Sequence, residues 1–234
     1  MDESRALRRA GWAGAASLVL LVAAVALGYL VGVDDPSMSD SDILERLNDN
    51  ARQAAAGFAP PVLAAGIALL LWFVTGLRRV LDRLSGGDPL THVIVPAAAM
   101  FGGLMITGVS LDLGSAFAAW SDEFTPDPNT VRALGMAGQI LALTGLIGCG
   151  VIVAVTTRIT RQAHVLPTWA TWASYAVVLL CLSGFWSGGV ASVAFGLWLI
   201  GAVIGVLRAA RSIAPAPDGV APETAGTPPT TTNN

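Results

Sequence analysis

The sequence predicts an all-α fold: a polytopic transmembrane helix bundle of six spans with both termini cytoplasmic. Three observations carry this expectation. The 234 residues are 54% hydrophobic and 12% charged, about half the charge of an ordinary soluble domain. The apolar residues come in blocks long enough to cross a bilayer. The thirteen basic residues are all Arg, and ten of them fall on one side of those blocks.

The elements follow in order. A short basic start carries Arg5, Arg8 and Arg9. Gly11–Val33 is an uninterrupted apolar run of 23 residues, long enough to span with some tilt. Its rival reading is a signal peptide cleaved after Ala24-Val25-Ala26, but the run is long for a signal and further spans follow. Residues 34–57 form a polar loop whose charges are mostly acidic. Within them Ser41–Ala56 reads as an amphipathic segment lying on the outer face, because Ile43, Leu44, Leu47 and Ala51 recur at helical spacing. Gly57 and Pro60-Pro61 are expected to end it.

The second span is expected over Ala59–Leu77, followed by Arg78, Arg79 and Arg83 and a Gly86-Gly87-Asp88-Pro89 turn. The third covers His92–Leu113, with Pro96 near its entry, where a kink is tolerated. The fourth covers Arg132–Thr157 and ends at Arg158 and Arg161. Leu166–Leu207 is 42 residues without a charge, about twice what one helix needs to cross. It must fold back, and Gly184-Phe185-Trp186-Ser187-Gly188-Gly189 is the natural turn between spans over Leu166–Ser183 and Val190–Leu207. Ala214–Asn234 is rich in Pro, Thr and Ala, the composition of a disordered cytoplasmic tail.

Orientation follows from the arginines. Arg5, Arg8, Arg9, Arg78, Arg79, Arg83, Arg158, Arg161, Arg208 and Arg211 share one side, and Arg46, Arg52 and Arg132 the other. The positive-inside rule makes the first side cytoplasmic. Trp12, Trp169 and Trp172 then lie near the inner interface and Tyr29, Trp120 and Trp186 near the outer one, as an aromatic belt requires. A multi-pass protein of the bacterial plasma membrane is expected, with the lipid bilayer and other membrane proteins as its surroundings. No basic patch with interleaved aromatics suggests nucleic acid.

Few residues could carry chemistry. Asp112 is the single charge in Val93–Trp120. A carboxylate inside a span is costly and needs a partner. Arg132 opens the next span at similar height, so the two form either an outer ion pair or part of a proton or cation site. His92 and His164 sit at the cytoplasmic side; haem needs His at facing positions inside the spans and neither lies deep, and neither has the nearby acids or thiols of a metal site. Ser187 has no His on its side to act as base. Cys149 and Cys181 sit in apolar spans and read as small hydrophobes. No cofactor is expected, and no catalytic constellation is found. Gln139, Thr144, Thr107, Ser110, Ser174 and Ser183 are expected to bond across helices. Gly28-x-x-x-Gly32 and Gly201-x-x-x-Gly205 are expected to allow close helix packing.

The late segment Arg161-x-x-x-Val165-Leu166-Pro167-x-Trp169-Ala170-x-Trp172, followed by two short spans and Arg208, resembles small uncharacterised actinobacterial six-helix integral membrane proteins. The likeness covers the last third of the chain. It implies a six-helix bundle and no particular activity. The function expected is that of a non-catalytic accessory or scaffold protein acting through helix faces and acidic outer loops; the alternative is a small transporter or channel for an ion or small solute.

Overall fold

The computed structural model describes residues 3–31, 38–119, 127–184 and 188–212. Every regular element among them is helical. The helices are α1 (Glu3–Val31), α2 (Asp40–Leu47), α3 (Asn50–Ser85), α4 (Ile94–Ala118), α5 (Pro128–Gln162), α6 (Thr168–Ser183) and α7 (Gly188–Ser212), with a 3-10 turn over Pro89–Val93 before α4. The tail from Ala214, Gly32, Trp120 and the Trp186-Ser187 turn lie outside the described residues.

Local chemistry sets the helix ends. Ser39 accepts from the Asp42 amide to start α2, and Asp49 accepts from the Ala51 amide to start α3. Gly86, at φ 67°, stops α3 in the left-handed conformation that favours glycine. Asp127 caps α5, and hydrogen bonds from the Thr130 hydroxyl and amide hold its carboxyl below the usual carboxylate range. A depressed pKa makes this cap stabilising at neutral pH and weakens it only as the pH falls into the acid range.

Five helices are long and apolar enough to cross a membrane: α1, α3, α5, α7 and α4 with its preceding turn. The sixth expected span is α6, which has only 16 residues. It is about 24 Å long at 1.5 Å per residue, against a hydrocarbon core of about 30 Å.

Neighbouring helices run antiparallel and close into a ring in the order α1, α3, α4, α5, α6, α7. One end of the bundle therefore gathers the ten arginines of the uneven distribution; we call it the arginine end. At the opposite end α2 and the start of α3 form a cap. Ile43 and Leu47 of α2 are fully buried there with Val31, Ala56, Ala59, Leu113, Ala116 and Val131. This core draws on α1 to α5.

The helices are held together where glycine lets backbones touch. On α4 and α5, Gly108 and Gly138 each present a bare Cα to the other's carbonyl oxygen, and Gly148 does so to the Ala97 oxygen. On α1 and α3, Gly76 meets Ala10, Gly66 meets Leu20 and Leu21, and the buried Ser17 hydroxyl donates to the Gly66 oxygen at 2.8 Å. Hydrocarbon gives helices no hydrophobic reason to associate, so close van der Waals contact of this kind must supply the attraction. Of the expected packing glycines, the three that are described make no such contact. A Cβ on Gly28, Gly201 or Gly205 would meet open space, because these residues lie on faces turned away from the neighbouring helices.

Two further expectations are corrected. The amphipathic segment over 41–56 is not one helix: Asn48 ends α2, and the rest belongs to α3. Pro60-Pro61 does not start a new helix either, and α3 runs through both prolines. The prolines remove two backbone donors, but their fixed φ is helical, and packing of Ala55, Ala56 and Ala59 into the cap core holds the preceding turns in line.

A continuous α3 has a measurable consequence. The amides of Gln53 to Ala59 should exchange with deuterium slowly, as buried helix does. Exchange at the rate of an exposed loop would show that the helix begins only at the prolines.

Candidate functional site

The capped end holds a set of polar contacts that ties four helices together. Gln53 is the keystone. It is 5% exposed, and its Nε2 donates to the Leu47 oxygen at 2.7 Å and to the Ala119 oxygen at 3.4 Å. One side chain thus satisfies carbonyls at the C-termini of both α2 and α4, which have no partner within their own helices. Nothing in the sequence pattern singles Gln53 out, since it stands among small residues in what reads as an exposed amphipathic stretch.

Arg132 is the second tie. From the first turns of α5 its Nη2 lies 2.7 Å from Asp40 Oδ1 and donates to the Met38 oxygen at 2.8 Å. It therefore clamps the start of α2 to α5. Arg132 thus has an ion-pair partner, Asp40, that the order of the spans does not reveal. Asp40 stands 92 positions away, so spacing along the spans does not point to it.

Asp112 is placed by α4, which continues to Ala118. The carboxylate is therefore not at the helix end but six residues inside it, about 9 Å along the axis. It is half-buried, and its Oδ1 would lie 3.1 Å from a Cβ on Gly135. The glycines of α5 thus give this carboxylate its space.

Beside it, α3 and α4 leave a groove of about 240 Å³ lined by Ala56, Gly57, Pro60, Ser110, Leu113, Gly114 and Phe117. Pro60 and Pro61 supply no amide hydrogen, so the carbonyls of Ala56 and Gly57, four residues earlier, lose their usual donors at its wall. The groove is smaller than the pockets that hold drug-sized ligands, roughly 300 Å³ and more.

The remaining candidates are dispersed. Arg78 meets His92 through Nη2 and Nδ1 at the arginine end, and His164 ends α5 in a left-handed turn. Among the described residues no group of three His, Cys, Asp or Glu could hold a metal ion. Cys149 and Cys181 are free thiols buried in one apolar cluster. The hydroxyls expected to bond across helices bond their own: Thr107 to Gly103, Thr144 to Ile140, Ser174 to Ala170 and Ser183 to Leu180. A hydroxyl that reaches its own preceding turn needs no neighbour. Gln139 is exposed on α5.

The two ties make separable predictions. Gln53→Leu should destabilise the protein by about 1–3 kcal/mol in thermal unfolding in detergent, the cost of orphaned buried carbonyls. The Arg132 and Asp40 side chains are 27% and 66% exposed, so a double-mutant cycle of Arg132→Gln with Asp40→Asn should give a coupling of about 1 kcal/mol or less that shrinks with added salt. Additive effects would remove the clamp.

Compared with known proteins, no protein-family model, no curated protein and no solved structure matches the chain.

Proposed function

We propose that the protein is a non-catalytic accessory or scaffold protein of the bacterial cytoplasmic membrane, which presents its acidic cap to a partner outside the cell. The observation that carries this reading is the mounting of α2. Its apolar residues Ile43 and Leu47 are fully buried, and Arg132 and Gln53 fix its two ends. Asp40, Ser41, Asp42, Glu45 and Asn48 remain exposed. A short helix of 8 residues would not persist on its own in water. Here the bundle holds it rigid, so an acidic face is presented without an ordering cost on binding.

The membrane placement that goes with this reading has six spans, α6 included, and both termini in the cytoplasm. Five sufficiently long apolar helices support a membrane protein. The grouping of ten arginines at one end supports the orientation. Antiparallel packing of α6 between α5 and α7 supports a sixth crossing, with bilayer thinning covering its deficit in length.

Two experiments test the proposal. In a variant lacking Cys149 and Cys181, Cys introduced at Ser41 should react with an impermeant thiol reagent in intact cells, and Cys at Ser85 should not; the reverse pattern would invert the protein. For the partner, native purification in mild detergent should yield a co-purifying protein that is lost from Asp42→Asn/Glu45→Gln, a variant that leaves Asp40 and the cap core intact. Retention of the same protein by the variant would exclude the acidic face as the contact.

Asp112 favours one other reading, a small transporter or channel. A carboxylate within a span is a common ion or proton site. In that case Asp112→Asn would abolish a proton- or cation-dependent flux in reconstituted vesicles while leaving thermal stability nearly unchanged.

A further inference from the structure

The arginine end is not uniformly basic. On the α3 side of α1, Glu3 pairs with Arg83, and Asp82 pairs with Arg78 at 3.6 Å. The α7 side of α1 is different. Leu207 packs onto Gly11, Val203 onto Gly14, and Leu18 approaches Gly196. The helices run antiparallel, so one turn beyond the Gly11–Leu207 contact the seam brings Arg8 of α1 to the same corner as Arg208 and Arg211 of α7. All three are exposed. Glu3, already engaged by Arg83, is the only acid in α1, and α7 has none. No carboxylate pairs with Arg8, Arg208 or Arg211 among the described residues.

Like charges gathered at one seam repel unless an anion lies between them. Their guanidinium groups offer forked donors that match phosphate oxygens. The surface running away from them toward the middle of the bundle is apolar and exposed. It consists of Trp12 and Val19 on α1 and of Leu197, Ile200 and Ile204 on α7. Gly201 and Gly205 are exposed on that side of α7 with open space where a Cβ would be; having no side chains, they leave a low strip of helix surface, which we call the furrow. A cationic head beside an apolar furrow has the form of a lipid.

We propose that the α1–α7 seam binds an anionic phospholipid of the leaflet at the arginine end. Arg8, Arg208 and Arg211 hold its phosphodiester, and an acyl chain lies in the furrow over Gly201 and Gly205. The assignment rests on the membrane placement and is independent of the scaffold role. It also gives the two glycines a use that helix packing within the chain does not.

The test uses the full chain purified in mild detergent, with bound lipid counted by native mass spectrometry after addition of phosphatidylglycerol or phosphatidylcholine. The wild type should retain phosphatidylglycerol in preference to phosphatidylcholine. Arg8→Gln/Arg208→Gln/Arg211→Gln should lower that retention about tenfold or more. Gly201→Leu/Gly205→Leu should lower it as well, since it fills the furrow without changing charge. Arg158→Gln/Arg161→Gln, which removes charge at the end of α5, should leave it within about twofold. An equal loss in the α5 variant would reduce the site to general surface charge and overturn the proposal. Displacement of the lipid by excess inorganic phosphate would show an anion site without a lipid and overturn it too. Release of the chain from membranes by alkaline carbonate, without detergent, would instead refute the membrane placement itself.

Discussion

The contact between the backbones of α4 and α5 is the constraint on which the rest of the structure depends. Gly108, Gly138, Gly145 and Gly148 bring carbonyl oxygens of one helix against the Cα or near-Cα positions of the other. At this distance weak Cα–H···O contacts and dense dispersion contacts act together. In a bilayer they must do what hydrophobic burial does in water. The same seam fixes the height of Asp112 against Gly135, and it fixes the end of α4, where the Ala119 carbonyl meets Gln53.

From that seam the cap is built outward by polar ties. Gln53 joins α2, α3 and α4, and Arg132 joins α2 and α5. Each tie is worth little alone: a half-exposed ion pair contributes about 1 kcal/mol or less. Their value lies in fixing a helix too short to form unaided, once Ile43 and Leu47 are buried beneath it. Packing in the bundle thus becomes a fixed acidic surface at one end, while at the other Arg78 and Arg83 are ion-paired beside α3 and, among the described residues, no carboxylate pairs with Arg8, Arg208 or Arg211 beside α7. The proposed function belongs to the first surface and the proposed lipid site to the second.

The parts of the fold legible in the sequence are those set by composition over many residues. The apolar blocks gave the long helices, the arginines gave the two ends, and Gly86 and Gly184 gave turns, both with positive φ. What depends on one neighbour in space was not legible. Pro60-Pro61 read as a break, since the sequence does not show that the cap core straightens the helix through it. Gly28, Gly201 and Gly205 matched a spacing pattern, but spacing does not say which face of a helix meets another, and these faces meet none within the chain. Arg132 was legible as an ion-pairing residue because it opens a span. Its pairing with Asp40 was not, since Asp40 reaches it only through the fold of the cap.

The claim that the α4–α5 glycine seam holds the bundle is tested most directly by comparing Gly148→Val with Gly201→Val in thermal unfolding of the purified protein. At Gly148 a side chain would collide with the Ala97 carbonyl oxygen and the Phe101 backbone, atoms of a neighbouring helix that cannot turn aside. At Gly201 it would meet nothing. The seam predicts a loss of roughly 1–3 kcal/mol for Gly148→Val, as overpacking costs, and no loss for Gly201→Val. Equal stability of the two variants, or a greater loss at Gly201, would contradict it.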